Sequence, residues 1–415
     1  MEIPGKVGWP IVGDKSIEFY RDPLKFLEKN MAATKSKIFA ARFLNKPTLF
    51  VCSSEGVQEV LNDSEQALEM GYEQFMGQMF GHNILFSTNE MAVGFRHSLS
   101  QLMTSQCLSE YEETLQRILV KKMSTLNAGS PFCLYQFFKD LFTEVCLTLF
   151  LGVEFSENEE TAELWKGLTS DHWHGIVSVP VDLKLPGTGT QSTFSKALKA
   201  KAKLLELISS QKNKVTCGFP HHMKSIEEFD ETAVNQHLLL FTSALVPKVL
   251  SSICTSVCIE MGNPDRFQWQ EKAKKEPKFL DNLILETQRL HPPLLGGRRM
   301  VKKKCVIAGY AVPKGHAVVY MTQPAHRDSA VFDHPDQFLP ERWDERPELI
   351  DKLFVYGLGP RGCIGYDLSR LIIQKSLTEL LSRFTWQICE DQVFTHKHIP
   401  VSRPKCNLLV TVTPV

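Results

Sequence analysis

The stretch Tyr356-Gly357-Leu358-Gly359-Pro360-Arg361-Gly362-Cys363-Ile364-Gly365 sets one cysteine among four glycines, with an arginine two positions before it. Glycine lets a backbone turn tightly where a Cβ would clash. Positive charge and backbone N–H groups favour the thiolate form of cysteine, which is the form that binds metals. From Leu368 onward, apolar residues recur at helical spacing, so a helix N-terminus is expected near the sulfur. The stretch predicts a loop that presents Cys363 as a thiolate ligand.

The composition excludes several other classes of protein. Lys and Arg number 47, as do Asp and Glu, so no net charge favours a nucleic-acid partner. The 11 cysteines are scattered without a CxxC pair, which is typical of a reduced intracellular protein and not of a disulfide framework or zinc site. The ordinary charged and hydrophobic fractions, 23% and 43%, are typical of a globular enzyme.

Membrane and targeting signals are the next class to consider. No run reaches the about 18 uncharged apolar residues of a membrane-spanning helix. Met1 is not followed by a basic and then apolar signal segment. We therefore expect an intracellular chain that is soluble as given, or associated with the endoplasmic reticulum or another membrane if an N-terminal anchor has been removed.

Local patterns predict a mostly helical chain with small sheets. Apolar residues at helical spacing predict helices over residues 112–126 and 137–151. Two short apolar runs, 36–44 and 46–52, predict a β-hairpin, and the Val-rich region 305–320 predicts strands with turns. The Gly-rich run 186–190 predicts a surface loop.

The longest apolar helical pattern is Glu231–Met261. A helix that is apolar nearly all round belongs in a protein core. Pro247 falls inside this pattern, where a proline removes one backbone hydrogen bond and kinks the helix at a cost of about 3 kcal/mol. The sequence therefore predicts one long core helix with a kink at Pro247.

A second pattern brings two opposite charges together. Glu286 and Arg289 lie three residues apart in a helical pattern, so they share one face and can pair. On a protein surface such a pair contributes little to stability. The sequence then runs through Pro340-Glu341-Arg342 before it reaches the cysteine loop.

In this order and at these separations, the Glu-x-x-Arg pair, the Pro-Glu-Arg run and the Cys363 loop resemble the cytochrome P450 family. The resemblance covers essentially the whole chain from Pro4-Gly5 onward. The Pro-Gly opening and Gly296-Gly297-Arg298-Arg299 resemble in particular the branch of the retinoic-acid hydroxylases. The resemblance implies one haem-thiolate domain over 1–415, mainly α with small β-sheets, that carries haem b on Cys363.

The resemblance also implies roles for individual residues. In the family, the pair and the later arginine are buried and brace the cysteine loop; here they are Glu286, Arg289 and Arg342. The residues implied to contact the cofactor are Cys363, Arg361, Gly359, Tyr356, Arg299, Arg96 and His97. For Arg96 and His97 the alternative is a solvated helix face, and for the doubled arginine a solvated sheet edge. Tyr356 replaces the usual phenylalanine, and its hydroxyl could add a hydrogen bond that shifts the iron potential.

The chain departs from the family within Glu231–Met261. Family monooxygenases carry there an acid followed by a threonine, which deliver protons when oxygen is activated. The corresponding residues here are Val246 and Pro247. Neither can relay a proton, because valine has no polar side-chain atom and proline lacks its N–H. Thr242 and Ser243, one turn earlier, are the remaining hydroxyl donors.

Three functions fit these observations. The leading hypothesis is a haem-thiolate oxidoreductase that acts on an apolar, lipid- or isoprenoid-like small molecule and uses peroxide or a substrate hydroperoxide, as peroxygenases and hydroperoxide isomerases do. The first alternative is a conventional monooxygenase that uses O2 and NADPH with a substrate- or water-assisted proton relay and a reductase as redox partner. The second is a non-catalytic haem carrier or sensor. We expect a monomer with no nucleic-acid partner.

Overall fold

The computed structural model describes residues 2–63, 66–87, 89–155, 159–178, 181–183, 191–390, 392, 395–405 and 408–415. The loop predicted over 186–190 lies outside the described residues. Within the described residues, the helices are α1 (Ser16–Arg21), α2 (Pro23–Thr34), α3 (Ser54–Asn62), α4 (Glu73–Phe80), α5 (Asn89–Ser100), α6 (Ser105–Met123), α7 (Leu134–Leu151), α8 (Glu159–Ile176), α9 (Thr193–Lys214), α10 (Gly218–Lys224), α11 (Glu231–Phe241), α12 (Leu245–Met261), α13 (Gln268–Lys275), α14 (Pro277–Leu290), α15 (Thr322–Ala325), α16 (Arg342–Glu345) and α17 (Tyr366–Arg383).

The strands within the same described residues are short, as expected for small sheets. They are β1 (Ile38–Phe43), β2 (Lys46–Val51), β3 (Leu68–Met70), β4 (Phe132–Cys133), β5 (Gly296–Val301), β6 (Cys305–Ile307), β7 (Tyr310–Val312), β8 (Ala317–Met321), β9 (Phe384–Ile388), β10 (His396–Lys397), β11 (Arg403–Pro404) and β12 (Leu409–Pro414). The predicted fold class, mainly α with small β-sheets, is confirmed.

The chain forms two compact units, each assembled from separate stretches of sequence. One unit, which we call the sheet unit, comprises Met1–Tyr72, Lys275–Cys363 and Phe394–Lys405. The other, the helical unit, comprises Glu73–Lys274, Ile364–Val393 and Cys406–Val415. Residues 356–363, which include Cys363, and α14 therefore belong to the sheet unit, and α11 and α12 belong to the helical unit.

The sheet unit is built on a five-stranded sheet in the order β1-β2-β8-β5-β3. The predicted hairpin forms its first two strands, paired antiparallel from Ile38 opposite Val51 to Phe43 opposite Lys46. β2 then pairs parallel with β8, and the other pairs are antiparallel. Phe39 and Phe50 stack across the hairpin with their ring centroids 5.1 Å apart, and α1 and α2 cover them. The aromatic core explains why the hairpin forms where it does.

The helical unit is organised around α7, most of whose side chains are buried. α12 packs against α7 and α17, and a three-stranded sheet in the order β4-β12-β9 lies in the same unit. The helices predicted over 112–126 and 137–151 are confirmed within α6 and α7, although α6 ends at Met123. Apolar residues at helical spacing marked these helices because one face of each packs in the core.

The prediction of a single helix over Glu231–Met261, kinked at Pro247, is wrong. α11 ends at Phe241 and α12 begins at Leu245, so residues 242–244 separate two helices. Pro247 is the third residue of α12. Backbone N–H groups in a first turn have no acceptor within the helix, so a proline there costs no hydrogen bond. The free-energy cost of a proline inside a helix therefore does not apply to Pro247.

Among the described residues, the same stretch is the candidate for a membrane-spanning segment, although Lys248 interrupts its uncharged run. By length and composition Glu231–Met261 could cross a membrane, with a mean hydropathy of 1.6 over 18 residues, of which 61% is buried inside the protein. A buried core helix meets the same criterion. The stretch therefore does not distinguish a core element from a membrane span.

Candidate active site

The cysteine loop, residues 356–365, folds back on itself. The N–H of Cys363 donates to the carbonyl oxygen of Tyr356 at 2.7 Å. Gly357 and Gly359 have φ angles of 70° and 63°, in the left-handed region that glycine adopts without strain. Cys363 is exposed, whereas its neighbours Gly362 and Ile364 are half-buried. The sequence thus predicted correctly a tight loop that presents this cysteine.

Gly359 also has a packing role. A Cβ at this position would lie 3.1 Å from the carbonyl oxygen of Leu61 and 3.1 Å from Oδ1 of Asn62, at the end of α3. A side chain here would therefore push the loop away from α3. Contact between Gly359 and the cofactor stays a prediction.

The predicted Glu286–Arg289 pair forms on α14, and both side chains are fully buried. Oε2 of Glu286 accepts from Nε of Arg289 at 2.9 Å, and Oε1 accepts from Nη2 at 2.8 Å. The same carboxylate accepts from the N–H of Leu339 at 2.9 Å and from Nε1 of Trp343 at 3.1 Å. A buried ion pair is tolerable only when its remaining hydrogen-bonding capacity is filled in this way. The surface-pair alternative is therefore excluded.

Arg289 and Arg342 tie the buried Glu286–Arg289 pair to the backbone that follows α14. Nε of Arg342 lies 3.5 Å from Oε1 of Glu286, and Nη1 of Arg342 donates to the carbonyl oxygen of Asp333 at 2.6 Å. The Arg289 guanidinium donates to the carbonyl oxygens of His326 at 2.9 Å, Pro335 at 2.6 Å and Gln337 at 2.9 Å. The predicted brace of Glu286, Arg289 and Arg342 therefore fixes the backbone between 326 and 343.

His326 connects this brace to the segment just before the cysteine loop, and the sequence did not reveal this contact. Its Nε2 accepts from the N–H of Phe354 at 2.8 Å, and its Nδ1 lies 3.2 Å from the carbonyl oxygen of Arg289. One nitrogen accepts and the other donates, so the ring is neutral. Burial, with the charges of Arg289 and Arg327, lowers the pKa of His326 to about 3. Because it is a single histidine whose partners are distant in sequence, no spacing pattern marks it.

Tyr356 has a second link to α14. Nε2 of Gln288 donates to the phenol oxygen of Tyr356 at 2.9 Å, and Gln288 is only 2% exposed. The extra hydrogen bond predicted for this hydroxyl is therefore found, and its partner is the helix that carries the Glu-x-x-Arg pair. Tyr356 thus anchors the loop to α14 through its hydroxyl group and closes the loop through its carbonyl group.

Tyr356→Phe is expected to lower the free energy of unfolding by about 1–3 kcal/mol, because the buried amide of Gln288 loses its acceptor. Urea unfolding of the holoprotein measures this loss. The double variant Tyr356→Phe/Gln288→Leu should recover part of it, since both partners are then apolar. A double variant less stable than the single one would show that Gln288 stabilises the protein by another route. Tyr310→Phe, at a half-buried tyrosine of β7, is the control.

In the helical unit, the two candidate hydroxyl donors differ. Oγ1 of Thr242 donates to the carbonyl oxygen of Leu238 at 2.7 Å. Oγ of Ser243 is buried and has no hydrogen-bond partner among the described residues. Val246 is half-buried and Pro247 is buried. Since buried polar atoms are rarely left unsatisfied, Ser243 is the group here that calls for an explanation.

Arg298 and Arg299, both predicted from the doubled arginine, make different contacts. Arg298 and Arg299 on β5 are 0% and 7% exposed, so the alternative of a solvated sheet edge is wrong. Arg298 donates from Nη1 to the carbonyl oxygen of Gly71 at 2.6 Å, and burial lowers its pKa. The Arg299 guanidinium lies 5.2 Å from the ring centroid of Tyr320. Arg298 and Arg299 are therefore buried cations of the sheet unit, which also contains Cys363.

On α5, in the helical unit, Arg96 is half-buried whereas His97 is exposed. The solvated-face alternative therefore describes His97. Arg361 is half-buried in a short 3₁₀ turn over Gly359–Arg361, two residues before Cys363.

The model of the cytochrome P450 family matches residues 3–237 and 260–411. The chain belongs to the cytochrome P450 family. The two matched stretches leave out 238–259, which hold Val246 and Pro247. The predicted family is thus confirmed, and the unmatched stretch is the one in which the sequence departs from the family pattern.

Several known proteins are similar to this chain along most of their length. The chain is 24% identical to beta-amyrin 28-monooxygenase of Kalopanax septemlobus, over 96% of this chain and 89% of that one. It is 23% identical to beta-amyrin 11-oxidase of Glycyrrhiza uralensis, over 99% and 90%. Among solved structures, the retinoic acid bound cyanobacterial CYP120A1 superposes with a TM-score of 0.85 at 22% identity, covering 100% of this chain and 99% of that one.

P450 membership implies a haem-iron cofactor, and the residues present fit it. An exposed cysteine on a glycine-turned loop is the donor that a haem-thiolate iron takes. The buried guanidinium groups of Arg298 and Arg299 are suited to carboxylates such as the haem propionates. Cys363, Arg298 and Arg299 are thus of the kinds that would hold a haem iron and its carboxylates.

Proposed function

We propose that this P450 is a haem-thiolate oxidoreductase that holds haem b through Cys363 and acts on an apolar, lipid- or isoprenoid-like substrate. Two relatives are named for oxidation of beta-amyrin, which supports an isoprenoid substrate. In the sheet unit, the buried brace of Glu286, Arg289 and Arg342 would keep the cysteine loop in place. Bound haem would supply the oxidising chemistry, with a thiolate ligand that favours cleavage of an O–O bond.

The proposed oxidant is a peroxide or a substrate hydroperoxide. The observation that carries this proposal is the Val246-Pro247 pair, which lies in the first turn of α12, just after the break that separates this helix from α11. These residues offer no side-chain proton donor, so they cannot perform the relay that activation of O2 requires. A peroxide is dioxygen already reduced by two electrons and it carries its own proton, so it needs neither electrons from a reductase nor protons delivered by an acid–alcohol pair.

For the haem propionates we favour Arg96, Arg298 and Arg299. All three are at least half-buried, whereas His97 is exposed to solvent. A buried guanidinium binds a carboxylate more strongly than an exposed one, because water screens it less. We also propose that residues 1–415 form one haem-thiolate domain and that the protein acts as a monomer.

The test compares oxidants on one preparation of ferric holoprotein. Hydrogen peroxide or a fatty-acid hydroperoxide is supplied in one arm, and NADPH with a P450 reductase in the other, with beta-amyrin and a long-chain fatty acid as substrates. We expect product at least tenfold faster in the peroxide arm, because the missing relay limits only the reductase arm. Turnover in the reductase arm alone would contradict the proposal.

A second candidate function is a conventional O2-dependent monooxygenase. The buried hydroxyl of Ser243 favours it, because this group could order a water that replaces the missing acid and alcohol. If so, Ser243→Ala should lower reductase-driven turnover about a hundredfold, a typical contribution of general acid catalysis. A peroxide-dependent enzyme would lose much less. Tight ligand binding without turnover in either arm would instead indicate a haem carrier or sensor.

A further inference from the structure

A buried histidine of the helical unit bonds to two separate stretches of backbone. His237 lies on α11 and is 0% exposed. Its Nε2 accepts from the N–H of Ile84 at 3.0 Å, and its Nδ1 donates to the carbonyl oxygen of Ala233 at 2.7 Å. With one nitrogen accepting and the other donating, the ring is neutral. Burial, with a smaller contribution from His82, lowers the pKa of His237 to about 4, so this state holds at neutral pH.

The ring of His237 also packs against α5. Its centroid lies 4.8 Å from that of Phe95, with the two rings nearly perpendicular, an arrangement that aromatic pairs favour. Phe229 stacks on the histidine ring at 4.8 Å and contacts Phe95 at 5.0 Å. Arg96 follows Phe95 on the same helix, where successive side chains point about 100° apart. A helix that is held by Phe95 therefore presents Arg96 in one direction.

The loop that carries Ile84 extends this restraint toward the start of α5. Oδ1 of Asn83 accepts from the N–H of Leu85 at 2.9 Å, and its Nδ2 donates to the carbonyl oxygen of Phe80 at 3.2 Å. Oγ of Ser87 donates to the carbonyl oxygen of Asn83 at 2.6 Å. Asn83 and Ser87 are both 0% exposed. A buried polar network whose members are bonded specifies one arrangement, so a bond that fixes Ile84 restrains the chain just before α5.

His172 is the natural comparison for His237. It lies on α8, is also 0% exposed, and donates from Nε2 to the carbonyl oxygen of Met79 at 3.0 Å, at the end of α4. Burial lowers its pKa to about 4 as well. Two buried neutral histidines thus bond to the same stretch of chain. His172 holds the end of α4, whereas His237 holds the chain that enters α5.

We propose that His237 is a positioning residue that holds α5 so that Arg96 is directed toward a haem propionate. The proposal rests on the role proposed above for Arg96. An apolar side chain could fill the same space, but it could not accept from the N–H of Ile84, which would then be buried without a partner. The imidazole therefore supplies direction as well as packing, because a hydrogen bond depends on its angle.

The test is the rate at which the ferric holoprotein loses haem to excess apomyoglobin. Arg96→Leu should lose haem about tenfold faster than the wild type, because a charge-assisted bond is removed. His237→Phe keeps an aromatic ring without the acceptor and should lose haem about fivefold faster. His237→Gln offers an accepting oxygen near the position of Nε2 and should behave like the wild type. Arg96→Leu/His237→Phe should be no faster than Arg96→Leu, because two residues that act through one contact are not additive.

His172→Phe is the matched control for His237→Phe. It should lower the thermal midpoint to a similar extent and leave the rate of haem loss unchanged. If His237→Phe yields no holoprotein, Asn83→Ala takes its place in the double-variant comparison, because it loosens the loop that carries Ile84.

Three results would overturn the inference and leave the role of Arg96 intact. They are wild-type haem loss in His237→Phe, additive effects in the double variant, and equally fast haem loss in His172→Phe, which would indicate general loosening. Wild-type haem loss in Arg96→Leu would overturn the inference together with the role of Arg96. Haem loss does not depend on the oxidant, so each of these results is separate from the outcome of the peroxide test.

Discussion

Glu286→Gln is expected to lower the free energy of unfolding by about 3–5 kcal/mol, the usual loss when one partner of a buried ion pair is removed. The carboxylate of Glu286 accepts four hydrogen bonds in a site with no exposure to solvent. Glutamine keeps the size but replaces one accepting oxygen by a donor, and it leaves the charge of Arg289 buried without compensation. Urea unfolding followed by far-UV circular dichroism measures the loss, and haem retention should fall with it.

Glu154→Gln is the matched control for this substitution. Glu154 also binds an arginine through both carboxylate oxygens, at 3.1 and 3.2 Å from Arg117, but its side chain and that of Arg117 are 36% and 57% exposed. An exposed pair contributes at most about 1 kcal/mol. The two ion pairs have similar hydrogen-bond geometry but differ in burial. Similar losses of unfolding free energy in Glu286→Gln and Glu154→Gln would therefore show that burial does not determine how much an ion pair stabilises the protein.

Val246→Asp/Pro247→Thr is expected to raise reductase-driven turnover by about a hundredfold, within the usual range for general acid catalysis. The double variant restores an acid and an alcohol at the positions where the family carries them. An aspartate in the first turn of α12 is also favoured by the helix dipole, and Pro247 makes no hydrogen bond there that threonine would lose. Peroxide-driven turnover should change little, because it does not use the relay.

Val249→Asp/Pro247→Thr is the control for this gain. Val249, like Val246, is half-buried on α12, so the control introduces the same two side chains with the acid displaced by three residues. Product formation with NADPH and reductase is measured for both variants and the wild type. Unchanged turnover in Val246→Asp/Pro247→Thr, with the fold intact, would show that the missing pair does not limit the reaction with O2.

The features that the sequence predicted well are those whose cause is local. Glu286 and Arg289 share a helix face because of their spacing alone, and the turns at Gly357 and Gly359 require a residue that tolerates positive φ. The hairpin follows from the two apolar runs 36–44 and 46–52, and its turn falls at Leu44-Asn45, both of which adopt positive φ. In each case a single local rule of backbone or helix geometry leads from the sequence pattern to the structure.

The features that were missed depend on contacts distant in sequence. The hydrogen bond from Gln288 joins residues 68 positions apart, and that of His326 to Phe354 spans 28. The break after α11 was missed for a different reason. Thr242-Ser243-Ala244 contains no glycine, proline or charged residue that would mark an interruption, and Pro247 lies in a first turn and not in a helix interior.

The absorption spectrum of the reduced, CO-bound protein tests the central claim most directly. With the Cys363 thiolate as the iron ligand, the wild-type protein should show the red-shifted Soret band of haem-thiolate proteins, and Cys363→Ser should lose it. Cys389→Ser, at a half-buried cysteine of the helical unit, should keep the band and serves as the control. A wild-type spectrum like that of a histidine-ligated haem, or a red-shifted band that survives in Cys363→Ser, would contradict the assignment of Cys363 as the haem ligand.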